Sequence, residues 1–383
     1  MPAADSRRLV ALALPPGDEF IAALDAAWQR GSAVLPIDPF APPAVVDRLL
    51  AAMRPDEPVS DDTALVILTS GSTGEPKGAQ LSRDALAASA LATHARIGLR
   101  TDDRWLSCLP WQHIGGIQVM LRARLLDLPL TVHDRFDVDR FAAEPATLTS
   151  LVPTQLVRLL DAKVDLGRFR AILLGGAAAP PALLARARAA GANVVPTYGM
   201  SETCGGCVYD GSPLDGVDVA LDAGRVRVRG PVLMSGYRLR PDLDAEVFDD
   251  GWFVTSDLGE YGGDGRLRIT GRVDDVVITG GENVVASRVA EVLATHPAIA
   301  DVAVTGVPDA EWGQRLVAVI VPRDATDVPS LTDLREWGSA ALSPAARPRA
   351  VVVIDELPRL ATGKLDRLAI GRLAARSGDP GNL

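Results

Sequence analysis

Apolar runs alternate with stretches of helical period between residues 64 and 197. Five of these runs are short and mostly apolar, as buried β-strands are. Because strands that alternate with helices form parallel sheets covered by helices, this part of the chain predicts an α/β domain with a largely parallel sheet. The predicted strands are 64–69, 104–109, 148–152, 171–174 and 193–197, and the predicted helices are 83–96, 153–161 and 181–190.

The character of the sequence changes near residue 216, where Gly and Asp begin to separate short strand-like segments. These segments predict a small antiparallel, barrel-like sheet, and a mixed α and β pattern follows it. We expect a large α/β domain with the barrel-like sheet over residues 1–272, and a smaller, mobile α+β domain over 273–383. The sheet segments are 224–229, 251–254 and 265–270, and the later elements are a helix at 286–296 and strands at 301–306 and 315–321.

Composition narrows the class of protein. The chain has 383 residues, 48% of them hydrophobic, which is enough for a sizeable core. Its net charge of -10 argues against a general nucleic-acid binder.

The cysteines indicate neither a zinc site nor disulfides. Cys204 and Cys207 form a lone CxxC without the second pair that a zinc site needs, and three cysteines do not suit a disulfide framework. No apolar stretch reaches the length of a membrane span, so we expect a cytoplasmic protein.

The segment 67–78, Ile-Leu-Thr-Ser-Gly-Ser-Thr-Gly-Glu-Pro-Lys-Gly, places a glycine-rich loop directly after a predicted strand. Glycines let backbone N–H groups approach an anion, hydroxyl groups add donors, and Lys77 supplies a positive charge. The pattern is not a Walker A loop, because Lys77 precedes Gly78 rather than a Ser or Thr. The segment therefore predicts a different kind of phosphate-binding loop.

This loop resembles that of the adenylate-forming superfamily, which includes acyl-CoA synthetases, adenylation domains and luciferases. Further segments similar to the superfamily's motifs follow in the expected order. The resemblance implies an enzyme that uses ATP, Mg²⁺ and CoA to convert a carboxylic acid first into an acyl-adenylate and then into a thioester. The segments are 174–178 (Leu-Gly-Gly-Ala-Ala), 197–203 (Thr-Tyr-Gly-Met-Ser-Glu-Thr), 255–259, 269–275, 280–283 (Gly-Gly-Glu-Asn) and 357–366.

The resemblance also implies roles for individual residues. Ser201 is expected to donate to the α-phosphate, Glu202 to bind Mg²⁺, Tyr198 to stack on adenine and Asp257 to accept from the ribose hydroxyls. Lys364 is expected to stabilise the transition state of adenylation, with Asp274 as the hinge of the C-terminal domain. The remaining expected nucleotide-binding residues are Thr69, Ser70, Gly71, Ser72, Thr73, Gly74, Lys77, Gly175, Gly176, Ala177, Thr197, Gly199, Met200 and Arg272, and Gly280 and Gly281 are expected to face CoA.

The acid is indicated by the segment Leu-Pro-Trp-Gln-His-Ile-Gly-Gly at 109–116 and by Leu-Val-Pro-Thr-Gln-Leu at 151–156. Together they look like the o-succinylbenzoyl-CoA synthetases of menaquinone biosynthesis. The resemblance implies that His113 lies over the acid, beside Gly115 and Gly116, with Thr154 and Gln155 near the pocket wall. A second carboxylate on this substrate needs a cation, for which Arg122 is the candidate, with Arg124 and Arg158 behind it.

Only 66 residues precede Ile67, so we expect a trimmed N-terminal part like that of short actinobacterial o-succinylbenzoate enzymes. Three alternatives stay open: another short aryl- or acyl-CoA ligase, a stand-alone adenylation enzyme that loads a carrier protein, and a non-catalytic nucleotide-binding module. The order of the first 60 residues and a homo-oligomeric state are also left open.

Overall fold

The computed structural model describes residues 7–60, 62–70, 76–359 and 365–376. Within them the strands begin with β1 (Leu9–Leu12), β2 (Ala33–Pro36), β3 (Thr63–Ser70), β4 (Pro76–Ser82), β5 (Trp105–Ser107), β6 (Leu130–Val132), β7 (Leu148–Leu151), β8 (Ala171–Leu174), β9 (Val194–Met200), β10 (Gly205–Tyr209) and β11 (Ser212–Pro213). They continue with β12 (Asp218–Asp222), β13 (Arg225–Arg229), β14 (Gly236–Tyr237), β15 (Phe248–Asp249), β16 (Trp252–Tyr261), β17 (Leu267–Arg272), β18 (Val276–Thr279), β19 (Glu282–Val285), β20 (Ile299–Asp309), β21 (Gly313–Pro322) and β22 (Ala350–Val353).

The helices of the described ranges connect and cover these strands. Short 3₁₀ helices lie at Ser201–Thr203, Val273–Asp275 and Gly338–Ala340. The α-helices are α1 (Asp18–Gln29), α2 (Pro43–Met53), α3 (Arg83–Ile97), α4 (Ile114–Leu125), α5 (Val138–Ala143), α6 (Pro153–Asp161), α7 (Pro181–Ala189), α8 (Pro241–Val247), α9 (Ala286–Leu293), α10 (Leu331–Trp337) and α11 (Arg367–Ala375).

The chain divides into two compact units. The first comprises Met1–Ala220 and Arg227–Val254, and the second comprises Leu221–Val226 and Thr255–Leu383. The assignment of domains to residues 1–272 and 273–383 stays a prediction.

A seven-stranded sheet in the first unit has the order β11-β10-β9-β8-β7-β5-β6. The five strands from β9 to β6 are mutually parallel, and β10 and β11 extend the sheet in antiparallel fashion. Leu156 of α6 and Leu183 of α7 pack in one core cluster with Leu106, Ile172 and Leu174 of the strands. The prediction of an α/β fold with a largely parallel sheet is confirmed.

A second sheet of this unit has the order β1-β2-β3-β4-β14. Its first three strands are parallel, which fixes the arrangement that the sequence left open for the first 60 residues. Phe20 of α1, Leu86 of α3 and Ile117 of α4 share a core with strand residues of this sheet. A separate cluster packs Met53, which ends α2, with Val66 and other residues of the same sheet. Each of β1 and β2 therefore contributes to a buried layer.

The remaining two sheets of the described ranges lie after residue 216, where the sequence predicts short strands. One sheet has the order β12-β13-β16-β15 with β17 beside β16, and β16 is antiparallel to both β15 and β17, in agreement with the predicted small antiparallel sheet. In the second unit the order is β19-β18-β21-β20, and β22 pairs with β21 in parallel. The predicted helix at 286–296 and the strands at 301–306 and 315–321 correspond to α9, β20 and β21. Among the described helices, none is both long and apolar enough to cross a membrane.

Candidate active site

The predicted site residues of the first unit follow the carboxyl ends of parallel strands. His113 comes after β5, Thr154 after β7, Gly175 after β8, and Ser201 after β9. Because these strands are parallel neighbours, their carboxyl ends meet at one edge of the sheet, where α/β proteins bind ligands. The structure therefore brings the four segments to a common edge.

The phosphate-loop segment connects two antiparallel strands of the neighbouring sheet. Thr69 of β3 pairs with Lys77 of β4, and Ser70 ends β3 opposite Pro76. Gly78 must be glycine, because an added Cβ would lie 2.6 Å from Cγ1 of Val66 and would also overlap Met53. The expected phosphate ligands Gly71, Ser72, Thr73 and Gly74 lie outside the described residues.

The expected adenine-side loop is packed against the next strand. Thr197 donates from Oγ1 to the carbonyl of Leu174 over 3.2 Å, and the N–H of Gly175 donates to Leu151 over 3.1 Å. A Cβ on Gly175 would overlap the Thr197 hydroxyl, so only glycine allows this approach. Gly176 has φ +80°, in the left-handed region that favours glycine, and the following Ala177 is exposed.

The segment 197–203 leaves β9 and turns into a 3₁₀ helix. Tyr198 and Met200 are half-buried, and Gly199 lies so close to Gly205 that a Cβ would overlap its carbonyl oxygen. The buried Thr203 hydroxyl accepts from the N–H of Met200 (3.0 Å) and donates to the carbonyl of Gly205 (2.7 Å). These bonds hold the turn that carries Ser201 and Glu202.

Glu202 has a partner that the sequence analysis missed. The hydroxyl of Tyr237, on β14, donates to Glu202 Oε1 over 2.7 Å. Lys77 Nζ lies 5.8 Å from the centre of the same ring. Burial, followed by the Glu202 charge and hydrogen bond, raises the pKa of Tyr237, so the phenol stays a proton donor. No local pattern marks this tyrosine, because its contact with Glu202 spans 35 residues.

The magnesium that the resemblance implies has a fitting ligand in Glu202. Within the described residues no group of three His, Cys, Asp or Glu side chains is arranged to hold a metal ion. Mg²⁺ that enters with ATP needs only one or two protein carboxylates, because phosphate oxygens and waters complete its shell. Tyr237 is the one described side chain bonded to the Glu202 carboxylate, which therefore keeps acceptor capacity for a cation.

His113 lies where the loop after β5 enters helix α4. It is exposed and forms the N-cap position, and its carbonyl accepts from Gly116 (3.0 Å) and Ile117 (3.1 Å). A Cβ on Gly116 would lie 2.7 Å from the carbonyl oxygen of Leu109 and would overlap that of Pro110, whereas Gly115 is exposed and open. Gly116 thus permits the tight turn that sets the position of His113.

Arg122 is in the interior, with 4% of its surface exposed. Its Nη2 donates to the hydroxyl of Tyr209 over 3.3 Å, and its guanidinium lies 5.9 Å from the ring centre of Trp105. Among the described carboxylates none forms an ion pair with Arg122, and its Nε is buried without a hydrogen-bond partner there. By contrast, Arg124 forms a surface ion pair with Asp25 at 2.8 Å.

The two other acid-side candidates differ in exposure. Thr154 is exposed near the start of α6, and Arg158 is exposed on the same helix. Gln155 is buried, and its Oε1 accepts from the N–H of Val152 over 3.1 Å. The Gln155 side chain therefore caps the start of α6, while Thr154 is accessible to solvent.

In the second unit three charged residues form one linked group. Arg272 lies 3.4 Å from Asp257 (Nη1 to Oδ1) and 2.9 Å from Asp274 (Nε to Oδ1). Burial opposes the charge of Arg272, but the hydrogen bond to Asp274 and the charge of Asp257 raise its pKa. The expected ribose ligand is thereby linked through one guanidinium to the expected hinge residue.

The expected CoA-side glycines begin the β18–β19 turn. Gly280 has φ +59°, its N–H donates to the carbonyl of Trp312 over 3.0 Å, and a Cβ would lie 2.9 Å from the Trp312 ring. Gly281, at φ +80°, is exposed. Lys364 lies outside the described residues. On either side of its segment, Arg359 and Leu365 form an isolated antiparallel bridge.

Two family models match the chain. The model of the AMP-binding enzyme family matches residues 46–238, and that of the AMP-binding enzyme C-terminal domain matches residues 288–364. A probable 2-succinylbenzoate–CoA ligase of Mycobacterium tuberculosis is 44% identical over 354 residues, which are 88% of this chain and 91% of the relative. An indoleacetate–CoA ligase of Aromatoleum aromaticum is 34% identical, over 87% of this chain and 72% of its own.

Among solved structures, o-succinylbenzoate CoA synthetase from Bacillus subtilis in complex with its acyl-adenylate intermediate superimposes with a TM-score of 0.86. The two are 27% identical, and the match covers 95% of this chain and 88% of that one. The fold is shared over nearly the whole chain. The chain belongs to the family of AMP-binding, adenylate-forming enzymes.

Proposed function

We propose that the protein is an ATP-dependent o-succinylbenzoate–CoA ligase. The observation that carries the proposal is the arrangement of Lys77 and Glu202 about Tyr237, beside the edge of the sheet that also carries His113. Lys77 supplies a positive charge and Glu202 a magnesium ligand, and both contact the ring or hydroxyl of Tyr237. This combination suits the polyphosphate of ATP. The named relative from Mycobacterium tuberculosis supports the choice of acid.

In the first half-reaction a carboxylate oxygen of the acid attacks the α-phosphorus of ATP, and the bond to pyrophosphate breaks. Both reactants are anions, so their repulsion must be offset by positive charge and hydrogen-bond donors. Lys77 is suited to the phosphates, Ser201 to the α-phosphate, and Glu202 to the Mg²⁺ that accompanies ATP. Magnesium supplies charge neutralisation when it is bound. The products are acyl-adenylate and pyrophosphate.

In the second half-reaction the CoA sulfur attacks the acyl carbonyl carbon, and the bond to AMP breaks. We assign Gly280 and Gly281 to the CoA side and Lys364 to the adenylation step, and we keep Asp274 as the proposed hinge between domains 1–272 and 273–383. The bonds from Arg272 to Asp257 and Asp274 support a common role for the ribose ligand and the hinge. ATP and CoA are cytoplasmic metabolites, and we propose the cytoplasm as the location.

For the acid itself we assign His113, Gly115, Gly116 and Thr154 to the pocket and Arg122 to the second carboxylate. A buried guanidinium without a carboxylate partner is costly, because a buried charge needs an opposite charge or several hydrogen bonds. Tyr209 supplies only one neutral partner. A substrate carboxylate would give Arg122 the opposite charge and the further hydrogen bonds that it needs. This supports a dicarboxylic acid over a monocarboxylic one as the substrate.

The test is pyrophosphate release with ATP, Mg²⁺ and a panel of acids, with and without CoA. We expect release with o-succinylbenzoate that proceeds to a CoA thioester and AMP. Release that ends at the adenylate until a carrier protein is added would indicate a carrier-loading enzyme. No release with any acid, together with retained ATP binding, would indicate a nucleotide-binding module and overturn the proposal.

The second candidate is an aryl-acid ligase of the indoleacetate type, which the similarity to the Aromatoleum aromaticum enzyme favours. Such a substrate has a single carboxylate, which adenylation consumes, and offers none to Arg122. The same panel separates the two candidates: a preference for indoleacetate or benzoate over o-succinylbenzoate would favour the second.

A further inference from the structure

Tyr237 touches both charged residues of the ATP side at once. Its hydroxyl lies 2.7 Å from Glu202 Oε1, and its ring lies beneath the Lys77 ammonium, with 5.8 Å from Nζ to the ring centre. The side chain is only 7% exposed. A single rigid ring with two torsion angles thus connects strand β4, which follows the phosphate loop, with the turn that carries Glu202.

The backbone of Tyr237 is fixed from two sides. Gly236 and Tyr237 pair with Gln80 and Ala79 of β4, which places the ring beside Lys77. On the other side the N–H of Tyr237 donates to Asp244 Oδ1 over 2.7 Å. Gly236, at φ +149°, leaves room for that carboxylate, because a Cβ would lie 2.6 Å from Asp244 Oδ2. The hydroxyl therefore reaches Glu202 from a well-defined position.

We propose that Tyr237 is a positioning residue that orients the Glu202 carboxylate for the divalent cation bound with ATP. Mg²⁺ demands near-octahedral geometry, so a ligand that can rotate binds it less well than one that is held. A hydrogen bond to one carboxylate oxygen fixes the plane of the group and directs the second oxygen. Partners of this kind typically change metal affinity by about 10- to 100-fold when they are removed.

The inference rests on the assignment of Glu202 as the magnesium ligand, but it does not depend on which acid the enzyme activates. One variant separates the effect of the Tyr237 hydroxyl from the effect of its ring. Tyr237→Phe removes the hydrogen bond to Glu202 and keeps the aromatic face under Lys77. A loss of cation affinity in this variant is therefore a property of the Glu202 contact.

The experiment measures Mn²⁺ binding to the enzyme–ATP complex by electron paramagnetic resonance, in the absence of any acid. We expect Tyr237→Phe to weaken Mn²⁺ binding by about tenfold and to raise the Mg²⁺ concentration for half-maximal activity by a similar factor. Activity at saturating Mg²⁺ and the KM for the acid are expected to change much less. In a Glu202→Gln background the second substitution is expected to have no further effect on Mn²⁺ binding.

The matched control is Tyr209→Phe, which likewise removes a buried tyrosine hydroxyl. The hydroxyl of Tyr209 bonds to Thr93 and Arg122 rather than to Glu202. It should leave Mn²⁺ binding unchanged. Unchanged Mn²⁺ binding in Tyr237→Phe would overturn the proposal, as would full additivity with Glu202→Gln. If Tyr237→Phe melts too early to be assayed, Tyr237→Met is measured with and without Glu202→Gln; because Met also removes the ring under Lys77, only the coupling with Glu202 is then judged, and full additivity would overturn the proposal. Failure of o-succinylbenzoate as a substrate would leave these binding measurements intact.

Discussion

Arg122 and Tyr209 meet inside the first unit, where the guanidinium donates to the phenol oxygen over 3.3 Å. Both side chains are buried, and the phenol also lies 2.9 Å from the Thr93 hydroxyl. Hydrogen bonds to neutral groups offset only part of the cost of burying a charge. Burial of this pair therefore lowers the stability of the folded protein, as is common at functional sites.

Replacement of Arg122 by Ala should raise the KM for o-succinylbenzoate by at least about tenfold and leave the KM for ATP near its original value, because a charged hydrogen bond contributes about 1.5–3 kcal/mol. The melting temperature should fall little, since an incompletely paired buried cation contributes little to stability. Steady-state kinetics against both substrates checks this. Arg124→Ala, which breaks only the surface ion pair with Asp25, is the control and should alter neither KM. An unchanged KM for the acid in Arg122→Ala would remove this residue from the pocket.

Gly116→Ala should destabilise the protein by about 1–3 kcal/mol or more, because the added Cβ meets the backbone oxygens of Leu109 and Pro110 and neither can move freely. The loop that ends in His113 would shift, so acid turnover should fall with stability. Thermal unfolding measures the first effect. At Gly115 the nearest atom to a Cβ is 3.8 Å away, so Gly115→Ala should keep the wild-type melting temperature. Equal melting temperatures for both variants would contradict the packing argument.

His94, buried on α3, makes stability depend on pH. Burial, followed by the positive charge of Arg122, lowers its pKa to about 4; Asp103 opposes the shift and Arg170 adds to it. In the unfolded chain His94 therefore binds a proton near pH 6.5, whereas in the folded chain it binds one only near pH 4. This contribution is fully present above pH 6.5 and is lost as the pH falls from 6.5 to 4, with a total of about 3 kcal/mol.

The measurement is the free energy of unfolding by urea at several pH values for the wild type and for His94→Leu. The variant should lose the His94 part of the slope between pH 6.5 and 4, while its slope below pH 4, where carboxylates titrate, should persist. Identical slopes for the two proteins above pH 4 would show that His94 is not the group responsible.

Arg272→Ala should weaken ATP binding, because it releases Asp257, the expected ribose ligand, and Asp274 from the same guanidinium. A several-fold rise in the KM for ATP is expected, because each of these partly exposed ion pairs contributes only about 0.2–1 kcal/mol. Among the described residues, the ion-pair partner of Arg268, on the same strand, is Asp264, at a long distance of 3.7 Å on the surface. Arg268→Ala is therefore the control, and a KM for ATP that rises equally in both variants would argue against a specific role of Arg272.

Several elements were predictable because their cause is local. Helix α6 begins at Pro153 and ends at Asp161, as predicted, since proline starts a helix well and apolar residues recur at helical spacing. Strand β8 also has the predicted bounds. Strand β9 continues to Met200 beyond its predicted end, because β10 folds back and pairs with it. Helix α4 was missed because Gly115 and Gly116 have low helix propensity, and contacts with the preceding loop override it.

The amino-acid sequence by itself determined the α/β pattern, the order of the motifs, and the residue types that suit phosphates and magnesium, because these depend on spacing along the chain. Only the tertiary structure decided that Tyr237 bonds to Glu202, that Arg122 is buried against Tyr209, and that the first two strands join the sheet of β3. Such contacts join segments that are distant in sequence. Their partners are selected by packing between layers, which leaves no periodic signal in either segment.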